Sequence, residues 1–218
     1  MKAIPKGCTA VMSRRIEPPD SLDYFPTPPW ATRALCEHLN IWGDVSGETC
    51  EEPACGDGHM VRPLREFFRT VFASDVYDYG GEQQRVSDFL LHWDRAPHLE
   101  KTPPDWIITN PPFRLAEQFA LRALEYAHVG VALLVRTAFL ESTGRWQRLF
   151  NPRPPEWILQ FTERVPMVKG RCDPEASSAT AYCWIIWLQP ATPKRNHFPA
   201  FVWISPCRKR LERPEDYR

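Results

Sequence analysis

The tetrapeptide Asn-Pro-Pro-Phe at residues 110–113 has the residue types needed to hold a planar amine. The side-chain oxygen of Asn110 and the carbonyl of Pro111 can each accept one hydrogen of an exocyclic amine, and the ring of Phe113 can stack on the attached planar group. Pro111 and Pro112 restrict the backbone between those two ends. The tetrad follows a β-prone run at residues 105–109, and α/β sheets bind ligands at the carboxyl ends of their strands. These four residues are therefore the candidate catalytic site, with a proline turn that only ends a strand as the alternative.

A second candidate site begins at residues 52–58, whose sequence is Glu-Pro-Ala-Cys-Gly-Asp-Gly. Its glycines allow a tight turn and a close approach of the backbone to a ligand. Asp75 ends another β-prone run, about 20 residues further on, where Rossmann-type sites place a carboxylate that binds ribose. Taken alone, the glycines fit an ordinary turn and Asp75 fits a helix cap. Together they predict a nucleotide-cofactor site.

The hydrophobic pattern predicts the elements that position these residues. Helices are expected from Pro29, after Gly58 as far as Phe68, and over residues 115–127, where apolar side chains recur with helical spacing. Strands are expected at residues 49–53, 71–74, 106–109 and 130–135, the last one apolar throughout. Strands that alternate with helices predict a doubly wound, mostly parallel α/β sheet.

The C-terminal part shows a different pattern. Residues 157–165 and 181–188 are β-rich, and the polar segment between them has no crossover helix, so an antiparallel pair is expected. Residues 201–204 predict one more strand. Four tryptophans in these stretches are expected in the core: Trp157, Trp184, Trp187 and Trp203. At 218 residues, the chain predicts a flexible arm at 1–20, a single domain at 21–207 and a charged tail at 208–218.

The composition narrows the class of protein. No apolar run approaches the ~20 residues that span a bilayer, and residues 1–15 lack the apolar region of a secretory signal. Seven cysteines without a CxxC pair or a Cys/His ligand spacing predict reduced thiols in the cytoplasm and no metal site. The charges balance at 27 basic and 27 acidic residues, but residues 1–130 hold 13 basic and 19 acidic side chains, and residues 131–218 hold 14 and 8. This split indicates an anion-binding second half.

In the order and spacing of these motifs, the sequence resembles S-adenosylmethionine-dependent DNA methyltransferases that methylate exocyclic amines. It is most similar to the small phage and prophage adenine-N6 enzymes. The resemblance covers residues 23–188 and implies a Rossmann-like class I methyltransferase fold, S-adenosylmethionine as cofactor and DNA as partner.

The resemblance also assigns roles to the motifs. Residues 23–28 match a motif at the methionine end of the cofactor, which implies binding by Tyr24, Thr27 and Pro28. Residues 52–58 match the glycine loop, which implies contacts from Glu52, Ala54, Gly56 and Gly58. Asp75 matches the carboxylate on the ribose hydroxyls, Asp88 and Phe89 match the pair that binds the adenine, and Asn110 stands next to both ligands.

About 50 residues separate Gly58 from Asn110, which leaves no room there for a separate target-recognition domain. Reading of the nucleic acid is therefore expected from loops 141–155 and 166–180. Basic side chains of the second half are expected on phosphates: Arg136, Arg145, Arg148, Arg153, Arg164, Lys169 and Arg171. The same tetrad also fits methylation of cytosine N4, of RNA adenine or of a protein glutamine. A non-catalytic regulator that binds DNA is the alternative from a different functional class.

Overall fold

The computed structural model of the protein describes residues 23–91, 102–190 and 199–217. The predicted arm at residues 1–20 lies outside these ranges. The strands are β1 (Thr49–Glu52), β2 (Thr70–Asp75), β3 (Arg85–Val86), β4 (Trp106–Thr109), β5 (Gly130–Arg136), β6 (Trp157–Phe161), β7 (Tyr182–Leu188) and β8 (Ala200–Ile204). The helices are α1 (Pro29–Trp42), α2 (Val61–Leu64), α3 (Ala116–Tyr126), α4 (Thr143–Arg145) and α5 (Arg208–Leu211). Short 3-10 turns occupy Thr137–Leu140 and Pro214–Tyr217, and a π-helical turn occupies Trp146–Phe150.

All eight strands form one sheet in the order β3-β2-β1-β4-β5-β7-β6-β8. β7 runs antiparallel to both β5 and β6, and the other pairs are parallel. The predicted mostly parallel α/β sheet, the antiparallel pair and the additional strand are confirmed. Because β7 runs opposite to β5, its first residue, Tyr182, pairs with the last residue of β5, Arg136.

Helices cover both faces of the sheet, which explains why β5 is apolar along its length. Successive residues of a strand point to opposite faces. Leu134 accordingly packs in the core under α1 and α2, whereas Leu133 packs in the core under α3. α1 begins at Pro29, where a missing backbone N–H costs no helical hydrogen bond.

The tryptophans divide according to the position of their strands. Trp157, Trp184 and Trp187 are buried, as predicted. Trp203 is 65% exposed, so its predicted place in the core is wrong. β8 is an edge strand with β6 as its neighbour, and its alternate residues Phe201 and Trp203 face away from the core.

Three local features differ from the sequence pattern. α2 ends at Leu64, short of Phe68, because the chain turns there, with the amides of Phe67 and Phe68 both donating to the Leu64 carbonyl, before it enters β2. The two-residue strand β3 was not predicted, and loop 141–155 contains α4 and the π-helical turn.

The charged segment from residue 208 folds back onto α1. Arg33 of α1 donates to the carbonyl of Leu211 at 2.8 Å and to both carboxylate oxygens of Asp216 at 2.8 Å. Leu211 and Asp216 are buried. The segment is thus packed against the domain through residue 217. Within the described ranges, no helix is long and apolar enough to cross a membrane.

Candidate functional site

A cleft lies at the carboxyl ends of three adjacent parallel strands. Glu52 is the last residue of β1, Asp75 is the last residue of β2, and Asn110 follows β4. The chain leaves β1 toward β2 on one side and later enters β4 on the other side, so the cleft lies at the topological switch point where α/β sheets bind ligands.

Most of the residues assigned from the sequence to catalysis or to cofactor binding line this cleft. They are Tyr24, Thr27, Glu52, Ala54, Asp75, Asp88, Phe89, Asn110 and Pro112. The other five of them, Pro28, Gly56, Gly58, Pro111 and Phe113, do not contribute to the lining. Tyr79 also lines the cleft, with its ring centroid 4.5 Å from that of Tyr24. The sequence offered no signal for Tyr79, which lies in an irregular segment.

The glycine loop is tied to the end of β2. Gly56 has a φ of +53°, and a Cβ at this position would lie 2.3 Å from Cε2 of Tyr24. The Gly56 N–H donates to Oδ2 of Asp75 at 2.9 Å, and the Tyr77 N–H donates to Oδ1 at 3.1 Å. Burial raises the pKa of Asp75. Gly56 is thus required both for the turn and for the place of the Tyr24 ring.

Glu52 is fully buried beneath the loop. Its Oε1 accepts hydrogen bonds from the Ala54 N–H at 3.0 Å and from the Thr109 hydroxyl at 2.5 Å. Burial raises the pKa of Glu52 to about 8. The carboxyl group is therefore largely protonated at neutral pH.

The side chain of Asn110 has a defined orientation. Its amide nitrogen donates to the carbonyl oxygen of Phe25 at 2.8 Å. A carbonyl can only accept, so the amide nitrogen must face Phe25 and Oδ1 must be the other end. This contact joins the start of the catalytic tetrad to the N-terminal motif at residues 23–28.

Among the buried polar atoms on residues of the cleft, the Tyr24 hydroxyl interacts with Asp57, and three others have no hydrogen-bond partner among the described residues. They are Oγ1 of Thr27, Oε2 of Glu52 and Oδ1 of Asn110. Buried polar atoms are nearly always paired in folded proteins, since an unpaired one is costly. Their concentration around one cleft indicates a site for a ligand with several polar groups.

Asp88 and Phe89 reach the cleft in different ways. Phe89 is buried, and its ring packs against that of Phe119 with centroids 5.1 Å apart. Asp88 is exposed, and its Oδ1 accepts the Leu90 N–H at 2.9 Å. The pair thus offers an apolar wall and a solvent-facing carboxylate.

Phe113, at the other end of the tetrad, is surrounded by polar and aromatic groups. Its N–H donates to Oδ2 of Asp23 at 2.6 Å. Its ring lies 5.1 Å from that of Phe25 and 6.3 Å from that of Tyr182, measured between centroids. The guanidinium carbon of Arg136 lies 3.8 Å from the ring centroid. Arg136 therefore lies against the Phe113 end of the tetrad, outside the lining of the cleft.

Three of the basic side chains expected on phosphates have partners within the protein. Arg145 donates to the Phe139 carbonyl at 2.7 Å and stacks on the Phe139 ring. Arg148 binds Glu117 with two hydrogen bonds, of 2.6 and 3.0 Å. The third, Arg171, pairs with a neighbouring carboxylate of its own loop at 3.1 Å. Because each of these three side chains already has a partner, its positive charge is weaker support for phosphate binding.

Lys169, Arg153 and Arg164 are exposed. Lys169 precedes Gly170, whose N–H donates to the Tyr24 carbonyl at 2.9 Å. Loop 166–180 therefore reaches the edge of the cleft. Among the described residues, no cluster of His, Cys, Asp and Glu could hold a metal ion.

Comparisons with known proteins give structural matches. No protein-family model matches the sequence, and no curated protein matches it. A Pyrococcus horikoshii protein, provisionally named as an RNA methyltransferase, matches with a TM-score of 0.57 and 16% identity over 80% of this chain and 91% of that one. A modification subunit of a provisionally assigned type I restriction enzyme from Vibrio vulnificus matches with a TM-score of 0.54 and 16% identity over 87% of this chain and 49% of that one.

A third solved structure, from Thermoplasma acidophilum, has a TM-score of 0.52 and 17% identity over 76% of this chain and 89% of that one. This chain thus spans nearly the whole of two of these structures and about half of the Vibrio subunit. At these identities the likeness concerns the fold. The chain has a Rossmann-like α/β fold, which it shares with these structures.

Proposed function

We propose that the protein transfers a methyl group from S-adenosylmethionine to the N6 amine of adenine in DNA. The observation that carries the proposal is the orientation of Asn110. Its amide nitrogen is held by the Phe25 carbonyl, and its Oδ1 is left without a partner among the described residues, on the cleft shared with Asp75 and Glu52.

The residues of the cleft fit the cofactor. S-adenosylmethionine carries ribose hydroxyls and amino groups, which can pair with the unpartnered Oγ1 of Thr27 and Oε2 of Glu52 and with the free lone pairs of Asp75. Phe89 supplies an apolar surface for the adenine ring, and the adjacent Asp88 carboxylate can accept from its amine. When bound, the cofactor supplies an activated methyl group on a sulfonium.

The tetrad acts on the amine that is methylated. Oδ1 of Asn110 and the carbonyl of Pro111 each accept a hydrogen bond from one of its two N–H groups, which favours a pyramidal nitrogen and stabilises the positive charge that develops on it. The nitrogen–carbon bond forms as the methyl–sulfur bond breaks, and the nitrogen then loses one proton to solvent. The ring of Phe113 stacks on the target base and fixes the nitrogen in line with the methyl group. In duplex DNA this requires the base to leave the helical stack.

Two observations favour DNA as the substrate. The whole set of motifs resembles that of small adenine-N6 enzymes, and basic side chains lie near the cleft. Arg136 lies on the ring of Phe113, and the exposed Lys169 stands on the loop that touches Tyr24. RNA adenine is the main alternative, since the structural matches include both a protein provisionally named as an RNA methyltransferase and a modification subunit of a restriction enzyme.

The test is transfer of a labelled methyl group to four acceptors: duplex DNA, single-stranded DNA, RNA and a protein extract. We expect N6-methyladenine in DNA, its loss in Asn110→Ala, and its retention in Asn40→Ala. Asn40 is an exposed asparagine of α1 that serves as the matched control. Label only in RNA, only in protein or in cytosine would overturn the proposal, and label in no acceptor would favour a non-catalytic regulator.

A further inference from the structure

Two hydrogen bonds join the N-terminal motif at residues 23–28 to the two ends of the tetrad. The Phe25 carbonyl accepts from the side chain of Asn110, and the Asp23 carboxylate accepts from the backbone N–H of Phe113 at 2.6 Å. We propose that Asp23 is a positioning residue for methyl transfer, which holds the Phe113 end of the tetrad in register with Asn110. The inference rests on the function proposed above.

The sequence of the tetrad limits how its backbone can be held in place. Pro111 and Pro112 have no backbone N–H, so neither can tie the loop down by a main-chain donor. Phe113 carries the first backbone donor after Asn110, and this donor is the one that Asp23 binds. A hydrogen bond from a backbone N–H to a carboxylate is shorter and about twice as strong as one between neutral groups.

Asp23 can serve as an anchor because its neighbours hold it in place. The ring of Tyr24 fills the space left by the absent Cβ of Gly56, and the Tyr24 carbonyl accepts the Gly170 N–H at 2.9 Å. Phe25 is buried, with 8% of its surface exposed. The segment at residues 23–25 is therefore packed against the glycine loop on one side and loop 166–180 on the other.

The expected consequence of losing the anchor is a misplaced ring. Phe113 is only partly buried, and its ring contacts Phe25, Arg136 and Tyr182 without a covalent or polar tie of its own. When the N–H of Phe113 is released, the ring and the Pro111 carbonyl can move together relative to Asn110. Small displacements of groups that orient a reacting atom cost about 100-fold in rate.

The test compares Asp23→Ala, Asp23→Asn and the control Asp44→Ala. Asp44 accepts the Ser46 N–H at 2.9 Å in the exposed turn before β1, at the amino end of a strand whose carboxyl end borders the cleft. Asp23 also lines the cleft, so kcat and Kd separate a positioning role from cofactor binding. In Asp23→Ala we expect kcat to fall by roughly 10- to 100-fold, with the Kd for S-adenosylmethionine changed by less than about 3-fold. Asp23→Asn keeps an acceptor oxygen and should recover a large part of kcat, and Asp44→Ala should match the wild type.

Hydrogen exchange supplies a readout that needs no activity. The amide of Phe113 should exchange faster in Asp23→Ala than in the wild type and should regain protection in Asp23→Asn. Unchanged exchange in Asp23→Ala would overturn the anchor, whatever the enzyme acts on. A raised Kd for the cofactor with unchanged kcat would make Asp23 a cofactor ligand instead. A wild-type protein that methylates nothing, with Phe113 exchange responding as expected, would refute the proposed function and leave the anchor established.

Discussion

The amide nitrogen of Asn110 donates to the main-chain carbonyl of Phe25 over 2.8 Å, although the two residues are 85 positions apart. Because this contact engages the amide nitrogen, Oδ1 is the end of the Asn110 side chain that can bind a ligand. In Asn110→Asp, a carboxylate oxygen would face the Phe25 carbonyl with no hydrogen to share. We expect methyl transfer to fall by about 10²–10³-fold and the free energy of unfolding to drop by about 1–3 kcal/mol, measured by initial rates and urea unfolding. Retention of most of the activity would contradict the role of the amide.

Gly56→Ala should disturb the cofactor site. The new Cβ would lie 2.3 Å from Tyr24 Cε2, at a φ of +53°, which disfavours residues other than glycine. The ring must shift, and we expect the Kd for S-adenosylmethionine, measured by calorimetry, to rise about 10-fold or more, roughly the 1.4 kcal/mol that such a factor represents. Gly43→Ala is the control, because no atom lies within 4 Å of a Cβ there. Equal affinities for both variants would refute the steric argument.

Glu52 should make stability depend on pH. Its pKa is raised from 4.5 to about 8 by burial, so between these two values the folded state binds more protons than the unfolded state. Stability is therefore lost as pH rises through this window and is constant above it. Glu52→Gln should remove this slope and, at pH 9, raise the free energy of unfolding by up to about 5 kcal/mol relative to the wild type, since each pKa unit corresponds to ~1.4 kcal/mol. Urea unfolding at several pH values tests this, and parallel curves for the two proteins would contradict it.

Arg33 should be important for stability. It is 3% exposed and bonds to Asp216, Glu66 and the Leu211 carbonyl. Arg33→Met leaves the buried Asp216 without a counter-ion, with only the Arg213 N–H still donating to it at 2.9 Å, and the loss of one partner of a buried ion pair typically costs about 3–5 kcal/mol. The exposed Arg210–Glu37 pair is the matched control, and Arg210→Met should cost less than about 1 kcal/mol. Similar losses in the two variants by chemical denaturation would contradict this difference.

Arg136 should affect the substrate more than the cofactor. Its guanidinium lies on the ring of Phe113, next to Tyr182. We expect Arg136→Ala to raise KM for DNA by roughly 10-fold, about 1.4 kcal/mol, with an unchanged Kd for S-adenosylmethionine. Arg136→Lys keeps the positive charge but lacks the planar guanidinium, so it should restore only part of the wild-type KM for DNA. Arg69→Ala, at an exposed site before β2, is the control. A KM for DNA that is the same in all the variants would contradict the assignment.

The sequence predicted those parts of the fold that depend on local patterns. Continuous apolar runs such as β5 and the turn residues of the glycine loop identified the sheet and the edge at which ligands bind. The place of Asn110 follows from the same logic, because it directly succeeds a buried strand. The exposure of Trp203 was not predicted, since its hydrophobicity is local whereas the edge position of β8 depends on the order of the strands.

The partners of side chains depend on contacts between distant residues, and these were not predicted. Asp23 and Phe113 are 90 positions apart, and their link arises only when the N-terminal motif packs against the end of β4. A count of arginines likewise does not distinguish a free cation from one with a partner. Arg148 is held by Glu117 across 31 residues, whereas Arg136 lies on an aromatic ring of the site.

The unpaired polar atoms around the cleft have a consequence for the abundance of the folded protein. Thr27, Glu52 and Asn110 each keep a buried atom without a partner among the described residues, so the unliganded molecule is less stable than its packing would allow. A ligand that pairs with these atoms stabilises the native state, by about 1.4 kcal/mol for each tenfold excess over its Kd. The melting temperature should therefore rise with the concentration of S-adenosylmethionine, and the level of folded protein in a cell would follow the supply of the cofactor.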